Sequence, residues 1–352
     1  MSNFIISAIL ISIFFLCYAS FTSYVKQEKI ISIIKYPSSI LFAFSFLGCI
    51  AAYFTIPEQN DALHPSTIFT VLAIFCSTFL LTIIFSKIKS PLWQFIILII
   101  FSSINIALLP HEFTFSNGII PSLAEKLILI TAWSLFAVFY NIMNASDGVI
   151  SLQSLSGTIG LILMSIIGVL PALYGFYSGS LLACLLAYNF FNRYPSQIQL
   201  TNTETRILGF ILGWLYILAT IEGDGSCVII LNMYYFYELI IAILKKLSFK
   251  DQFKTLSNNT FYNNLTSSGI PPHRICELIS RINLLLIFLA GFQIYAPNNY
   301  TIILISFFVV FWTTSQAISP STDGSQHHIL LTGSLLSFLK KKNKSTDEHK
   351  EP

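Results

Sequence analysis

Long apolar segments dominate this chain and restrict what it can fold into. They recur from residue 4 to residue 315, and only 10% of the 352 residues are charged. Soluble domains are roughly a quarter charged, whereas a helix that crosses a bilayer needs about 20 mostly apolar residues. We therefore expect an all-α, polytopic integral membrane protein with no nucleic-acid partner.

The apolar segments predict eleven transmembrane helices. In chain order they cover residues 4–22, 38–56, 67–85, 92–109, 124–143, 154–171, 174–191, 206–222, 227–244, 281–296 and 300–315. Only Pro171 and Gly175 separate the sixth segment from the seventh, so ten helices is the alternative. The expected domains are a transmembrane domain over residues 1–318 and a polar cytoplasmic tail over residues 319–352.

The distribution of basic residues predicts an orientation. If the N-terminus is outside, Lys126 is the only one of the 19 lysines and arginines that falls on the outer side. Basic residues favour cytoplasmic loops because they resist translocation. We therefore expect an outside N-terminus, an inside C-terminus and a multi-pass protein of the cell inner membrane.

The largest polar cluster follows the fifth predicted helix, at its inner end, and runs from Tyr140 to Gly148. Asn141, Asn144 and Asp147 are spaced three apart, so they share one helix face. A carboxylate and two carboxamides on one face can hold Mg²⁺ through water, or bind a sugar or phosphate. The alternative is a helix-end turn with capping polar groups. Polar residues at membrane depth indicate either function or hydrogen bonding between helices, so the spacing alone leaves both interpretations open.

The pattern N-x-x-N-x-x-D-G over Asn141–Gly148, after an apolar helix, resembles the signature of the polyprenyl-phosphate N-acetylhexosamine-1-phosphate transferases. Four further blocks follow in the family's order: Tyr188–Phe191, Leu200–Thr205 leading into Leu208-Gly209-Phe210, Glu238 before Lys245-Lys246, and Ser268–Arg274. The resemblance implies ten or eleven helices with an outside N-terminus. It also implies a cytoplasmic site at which Mg²⁺ helps transfer a sugar-1-phosphate from a UDP-N-acetylhexosamine to undecaprenyl phosphate, as in cell-envelope polysaccharide or glycolipid synthesis.

The resemblance also implies roles for single residues. The implied catalytic residues are Asp147, Asn202 and Glu204, with Asp147 as the Mg²⁺ ligand. The implied substrate-binding residues are Asn141, Asn144, Lys87, Arg193 and Glu238. The basic residues near this face, Lys87, Lys89, Arg193 and Arg206, could bind a diphosphate or a lipid phosphate. The alternative is that they are only the basic residues typical of cytoplasmic loops.

Several acidic positions of the family are substituted here. Phe85-Ser86 stands where the family has an Asp-Asp pair, Ile150 replaces the second Asp after the signature, and Asn202 replaces another Asp. An Asn is neutral and cannot act as a base, and a Phe can neither bind Mg²⁺ nor take a proton. Two hypotheses therefore stand: a transferase with altered acids, or a non-catalytic relative that binds polyprenyl phosphate or partner proteins.

Overall fold

A computed structural model describes residues 65–88, 90–109, 121–141, 143, 148–192, 200–248, 260–267, 269–296 and 300–316. Within these ranges every regular element is a helix. The helices are α1 Pro65–Lys87, α2 Pro91–Ala107, α3 Ser122–Tyr140, α4 Val149–Ile167, α5 Ala172–Asn192, α6 Asn202–Glu222, α7 Gly225–Leu231, α8 Met233–Ser248, α9 Phe261–Ser267, α10 Pro272–Tyr295 and α11 Thr301–Gln316. The first two predicted segments and the C-terminal tail lie outside the described residues.

The helices support the membrane class. Five of them, α1, α3, α4, α6 and α10, contain stretches long and apolar enough to cross a bilayer, and the bent pair α7–α8 would be a sixth. Shorter apolar helices occur in α2, α5 and α11. The described chain is therefore an all-helical, multi-pass membrane protein. The full count of eleven spans and the orientation remain predictions.

Two helices begin five or more residues earlier than the apolar pattern predicts. Helix α4 begins at Val149, and not at residue 154, because Ser151 and Gln153 are buried against neighbouring helices. Helix α10 begins at Pro272, and not at residue 281, since its first turns carry exposed charged residues that lie beyond the apolar stretch. Hydropathy locates the apolar part of a helix, while the backbone continues through the polar turns.

Helices α4 and α5 are separate and pack against each other. Helix α4 ends at Gly168, which has a φ of 89° and whose N–H bonds back to the last turn. This left-handed conformation costs glycine little. Pro171 then precedes α5. The predicted division between the sixth and seventh segments corresponds to this turn.

Helix α6 lies at the centre of the described bundle, and 83% of its apolar stretch is buried by the rest of the protein. It contacts α1, α3, α4, α5 and α7. Gly209 and Gly213 permit its closest approach, to α3: a Cβ on Gly209 would lie 2.7 Å from the Cβ of Tyr140. Small residues four apart are the usual means by which membrane helices approach closely. Trp133 strengthens the same contact, because its Nε1 donates a 2.8 Å hydrogen bond to the Phe210 carbonyl.

Helices α7 and α8 are bent by 61° at Asn232. The backbone N–H of Asn232 still reaches the Val228 carbonyl, and its Nδ2 donates to the same oxygen at 3.0 Å. Across the bend, Gln153 Nε2 donates to the Leu231 carbonyl at 3.3 Å. Broken helices are tolerated at membrane depth when side chains satisfy the carbonyls that the bend frees.

Candidate functional site

Four helix ends meet at one end of the described bundle: the C-termini of α3 and α5 and the N-termini of α4 and α6. Side-chain hydrogen bonds connect them, and we call the group the polar junction. Its members are Asn141, Gly148, Ser151, Asn189, Asn192, Thr201, Glu204 and Thr205. A further bond, between the hydroxyls of Tyr140 and Ser154 at 2.6 Å, ties α3 to α4 one turn deeper.

Asn141 and Thr205 join α3 to α6. The Thr205 hydroxyl donates a 2.6 Å hydrogen bond to Asn141 Oδ1. Asn141 is the C-cap of α3, and Thr205 is fully buried in the first turn of α6. The bond brings the start of the N-x-x-N-x-x-D-G segment against the segment that opens α6.

Gly148 and Asn192 join α4 to α5. The Gly148 N–H donates to Asn192 Oδ1 at 3.0 Å, and the glycine has a φ of 81°. Ser151 Oγ lies 2.8 Å from both the Gly148 carbonyl and Asn189 Oδ1. Gly148, the last residue of the signature, is therefore held by Asn192 directly and by Asn189 only through Ser151. A residue with a Cβ would be strained there because its backbone is left-handed.

Glu204 closes the N-terminus of α6. Its Oε2 accepts hydrogen bonds from the Thr201 N–H at 2.7 Å and the Thr201 hydroxyl at 2.9 Å. The Glu204 N–H in turn points to Thr201 Oγ1 at 3.4 Å, which completes a capping box. This reciprocal arrangement satisfies N–H groups that a helix start leaves free. These contacts are those of a helix cap, and the catalytic role expected for Glu204 stays a prediction.

Arg206 lies one turn beyond the exposed Asn202 on α6 and is half-buried. Its Nε is buried and has no hydrogen-bond partner among the described residues. A guanidinium offers five N–H donors in a planar fork that suits phosphate oxygens. Arg206 is thus a cationic group with unused donor capacity close to the polar junction.

Glu238 is a buried carboxylate of α8. Its Oε1 accepts from the Tyr234 hydroxyl at 2.6 Å, and its Oε2 accepts from the Phe261 N–H at 2.8 Å. The neighbouring Tyr237 hydroxyl accepts a 2.7 Å bond from Thr314 of α11. Glu238 therefore links α8 to the start of α9, and its expected substrate-binding role stays a prediction.

The remaining predicted site residues fall into two groups. Asn144, Asp147 and Arg193 lie outside the described residues, whereas Lys87 is exposed at the end of α1. Phe85 is buried in the core. The described residues contain no group of three His, Cys, Asp or Glu side chains that could hold a metal. Asp147, the Mg²⁺ ligand that the resemblance implies, is not among these residues, so its role stays a prediction.

No protein-family model matches the chain, and no curated protein matches it significantly. The family resemblance therefore rests on the sequence motifs and remains a prediction.

Sequence reasoning assigned no role to five side chains of the junction, although three of them lie in the blocks that carry the resemblance. The five are Ser151, Asn189, Asn192, Thr201 and Thr205. Asn192 follows Asn189 by three positions, the same spacing as Asn141 and Asn144, so a search for paired asparagines at helix ends would have found it. Ser151 and Thr205 carry no such signal. A hydroxyl in an apolar helix bonds most often to its own backbone, and only the packed structure reveals a partner on another helix.

Proposed function

We propose that the chain binds a polyprenyl phosphate at the polar junction. We also propose that it is an inner-membrane protein with eleven spans and an outside N-terminus, so that the junction faces the cytoplasm. The observation that supports this most is the meeting of the Asn141–Thr205 and Gly148–Asn192 pairs beside Arg206. The apolar exterior of the bundle would leave the isoprenoid tail in the bilayer. The junction would meet the phosphate at the membrane surface.

Electrostatics favour an anion at this point. Two helices begin at the junction, and the N-terminus of a helix carries about half a positive elementary charge. Helix α4 has no acidic residue in its first turn to offset that charge, and α6 has only Glu204. Arg206 adds a positive charge, and its Nε has no hydrogen-bond partner among the described residues. A phosphate is the group best matched by helix N-termini and a guanidinium together.

Sugar-1-phosphate transfer from a UDP-N-acetylhexosamine to the bound lipid is the second candidate function. The Asn141–Thr205 bond favours it, because it juxtaposes two segments whose counterparts in the resembled family carry the reacting groups. Asp147 would hold Mg²⁺, which would offset the charge of the diphosphate. Asn141 and Thr205 would hold the two segments together, and Arg206 would bind phosphate oxygens. If the chain does not transfer sugar-1-phosphate, its function would be that of a non-catalytic scaffold that binds the lipid.

Lipid binding is tested with the purified full chain in nanodiscs, by native mass spectrometry with undecaprenyl phosphate and with undecaprenol. We expect the phosphate form to bind at least about tenfold more tightly, since charge-assisted hydrogen bonds are worth about 1.5–3 kcal/mol. Arg206→Gln should remove most of that preference. Arg281→Gln is the matched control, because Arg281 is exposed and paired with Glu277 on α10. Equal binding of the two lipids by the wild-type chain would exclude the proposal.

Transfer is tested by measuring UMP release from UDP-N-acetylglucosamine with undecaprenyl phosphate and Mg²⁺. Activity that Asp147→Asn abolishes would support the transferase. Activity that survives this substitution would show that Asp147 is not the metal ligand. Lipid binding without UMP release would leave the scaffold function alone.

A further inference from the structure

A groove of about 410 Å³ lies between the C-terminal halves of α4 and α10. Leu163 and Ile167 of α4 line one side, and Phe288 and Phe292 of α10 line the other. All four side chains are exposed, so the groove opens at the surface of the described bundle. Gly291 keeps part of this space open, because nothing lies within 4 Å of its Cβ position.

The two phenylalanines also form a ridge beside the groove. Phe288 is 61% exposed and Phe292 is 65% exposed, although both belong to the groove wall. The ridge and the groove therefore lie side by side, at the same depth of one surface. A two-fold axis normal to the membrane would place the ridge of one copy against the groove of a second copy, and the same operation would place the second ridge against the first groove.

An ion pair lies on the same face of α10, nearer its N-terminus. Arg281 precedes Phe288 by seven residues and Glu277 precedes it by eleven, so the helical period of 3.6 residues puts all three on one face. The Arg281 guanidinium lies 2.6 Å from the Glu277 carboxylate, and both side chains are exposed. Two opposite charges on one face are complementary to a second copy of that face. The two-fold axis would bring each Glu277 to Arg281 of the partner subunit.

The charges distinguish a second copy from a lipid as the partner of this face. Apolar contact alone selects neither, because lipid tails cover an exposed apolar helix as well as another helix does. Helices associate within a bilayer through close packing and polar contacts. The α10 face offers both, since the groove lies at one depth and the ion pair at another. An acyl chain in the groove would leave Glu277 and Arg281 without an additional partner.

We propose that the chain forms a two-fold homodimer through α10, in which Phe288 and Phe292 of each copy pack into the groove of the other and Glu277 pairs with Arg281 of the partner subunit. The groove lies along the C-terminal half of α4, whereas the polar junction lies at the N-terminus of that helix. The dimer therefore does not depend on phosphate binding at the junction.

The charge pairing is tested with the full chain in phosphatidylcholine liposomes, by single-molecule photobleaching and by energy transfer between differently tagged copies. Glu277→Arg and Arg281→Glu should each associate at least about tenfold more weakly than the wild type, because like charges then meet across the two-fold axis. A mixture of the two variants should recover association as mixed dimers. Each variant lacks the ion pair within its own helix, so this recovery can arise only between copies.

The groove is tested with substitutions on the same helix. The side chain of Gly291→Leu would enter the open space and exclude the partner's ridge, so dimers should be lost at protein-to-lipid ratios at which the wild type is dimeric. Phe292→Ala should weaken association as well. Phe79→Ala is its matched control, because Phe79 is an exposed phenylalanine of α1, and it should leave the dimer fraction unchanged.

A wild-type chain that stays monomeric at every protein-to-lipid ratio would overturn the proposal, as would dimers that none of the α10 variants weakens. Failure of the mixed variants to associate would exclude the two-fold charge pairing. A lipid that co-purifies with a monomer and is displaced by Gly291→Leu would assign the groove to an acyl chain instead. Arg206→Gln should not change the dimer fraction, which separates this result from lipid-phosphate binding.

Discussion

Thr205 Oγ1 lies 2.6 Å from Asn141 Oδ1, although 64 residues separate the two in the chain. The bond crosses between the end of α3 and the start of α6, which also approach closely through Gly209 and Gly213. The close approach and the hydrogen bond support each other. Small residues bring the helices together, and the polar pair then fixes their register at the junction.

Removal of the Thr205 hydroxyl should destabilise the junction. Thr205→Val keeps the shape of the side chain but leaves Asn141 Oδ1 without this donor, so we expect a loss of about 1–3 kcal/mol in the free energy of unfolding. Thermal unfolding in detergent measures it. Thr131→Val is the control, because that hydroxyl is exposed and bonds the carbonyl of its own helix. If the losses of Thr205→Val and Asn141→Leu simply added in the double variant, the two residues would not be coupled.

Gly209 should not tolerate a side chain. In Gly209→Ala the new Cβ would lie 2.7 Å from the Cβ of Tyr140 and 3.0 Å from the Cα of Ala137. Because part of this contact is backbone, α3 and α6 must separate, and we expect a loss of about 1–3 kcal/mol. Gly291→Ala is the matched control on α10, since nothing lies within 4 Å of its Cβ position. Gly291→Ala should raise the free energy of unfolding by up to about 1 kcal/mol, because alanine favours a helix more than glycine does. An equal loss of stability for both substitutions would contradict the packing described.

Glu238 should stabilise the fold through its two hydrogen bonds. Glu238→Leu removes the acceptors of the Tyr234 hydroxyl and the Phe261 N–H. We therefore expect the free energy of unfolding to fall by about 2–4 kcal/mol. Glu238→Gln keeps one acceptor oxygen and should lose less. The melting temperatures of both variants measure the difference. Variants as stable as the wild type that failed to bind undecaprenyl phosphate would instead support the substrate-binding role.

The orientation of the chain can be tested by labelling. Asn202 and Ser122 are both exposed, at the starts of α6 and α3. They lie at opposite ends of the bundle, because the start of α6 meets the other end of α3. In a cysteine-free background, an impermeant maleimide added to intact cells should label Ser122→Cys and not Asn202→Cys. The reverse pattern would place the polar junction outside the cell and remove it from any UDP-sugar.

Sequence patterns were informative wherever apolar length or charge decided the structure. The predicted apolar segments between residues 67 and 315 correspond to helices. They could be predicted because a helix that crosses a bilayer requires a long apolar run. The bend at Asn232 was not predicted: residues 227–244 read as one continuous helix. Hydropathy is insensitive to one asparagine, whereas the bend depends on its amide and on Gln153 of another helix.

Only part of the candidate site was predicted, because a sequence pattern shows which residues are polar and not what they contact. Asn141 and the start of α6 stood out because polar residues interrupt apolar segments there. Ser151 did not, since its role depends on Gly148 and Asn189, which only the packing of α4 against α5 brings within reach. A pattern along one helix reveals which residues are polar, and the neighbouring helices decide what those residues contact.

The central position of α6 has a consequence for biosynthesis. Its mean hydropathy, 1.4, is the lowest of the five spanning helices, yet it is the most deeply enclosed. Four of the helices that it contacts, α1, α3, α4 and α5, precede it in the chain and would be synthesised first. During synthesis α6 therefore enters the membrane after four of the helices that enclose it, so a truncation that removed α1 or α3 should leave faces of α6 that are buried here exposed to lipid.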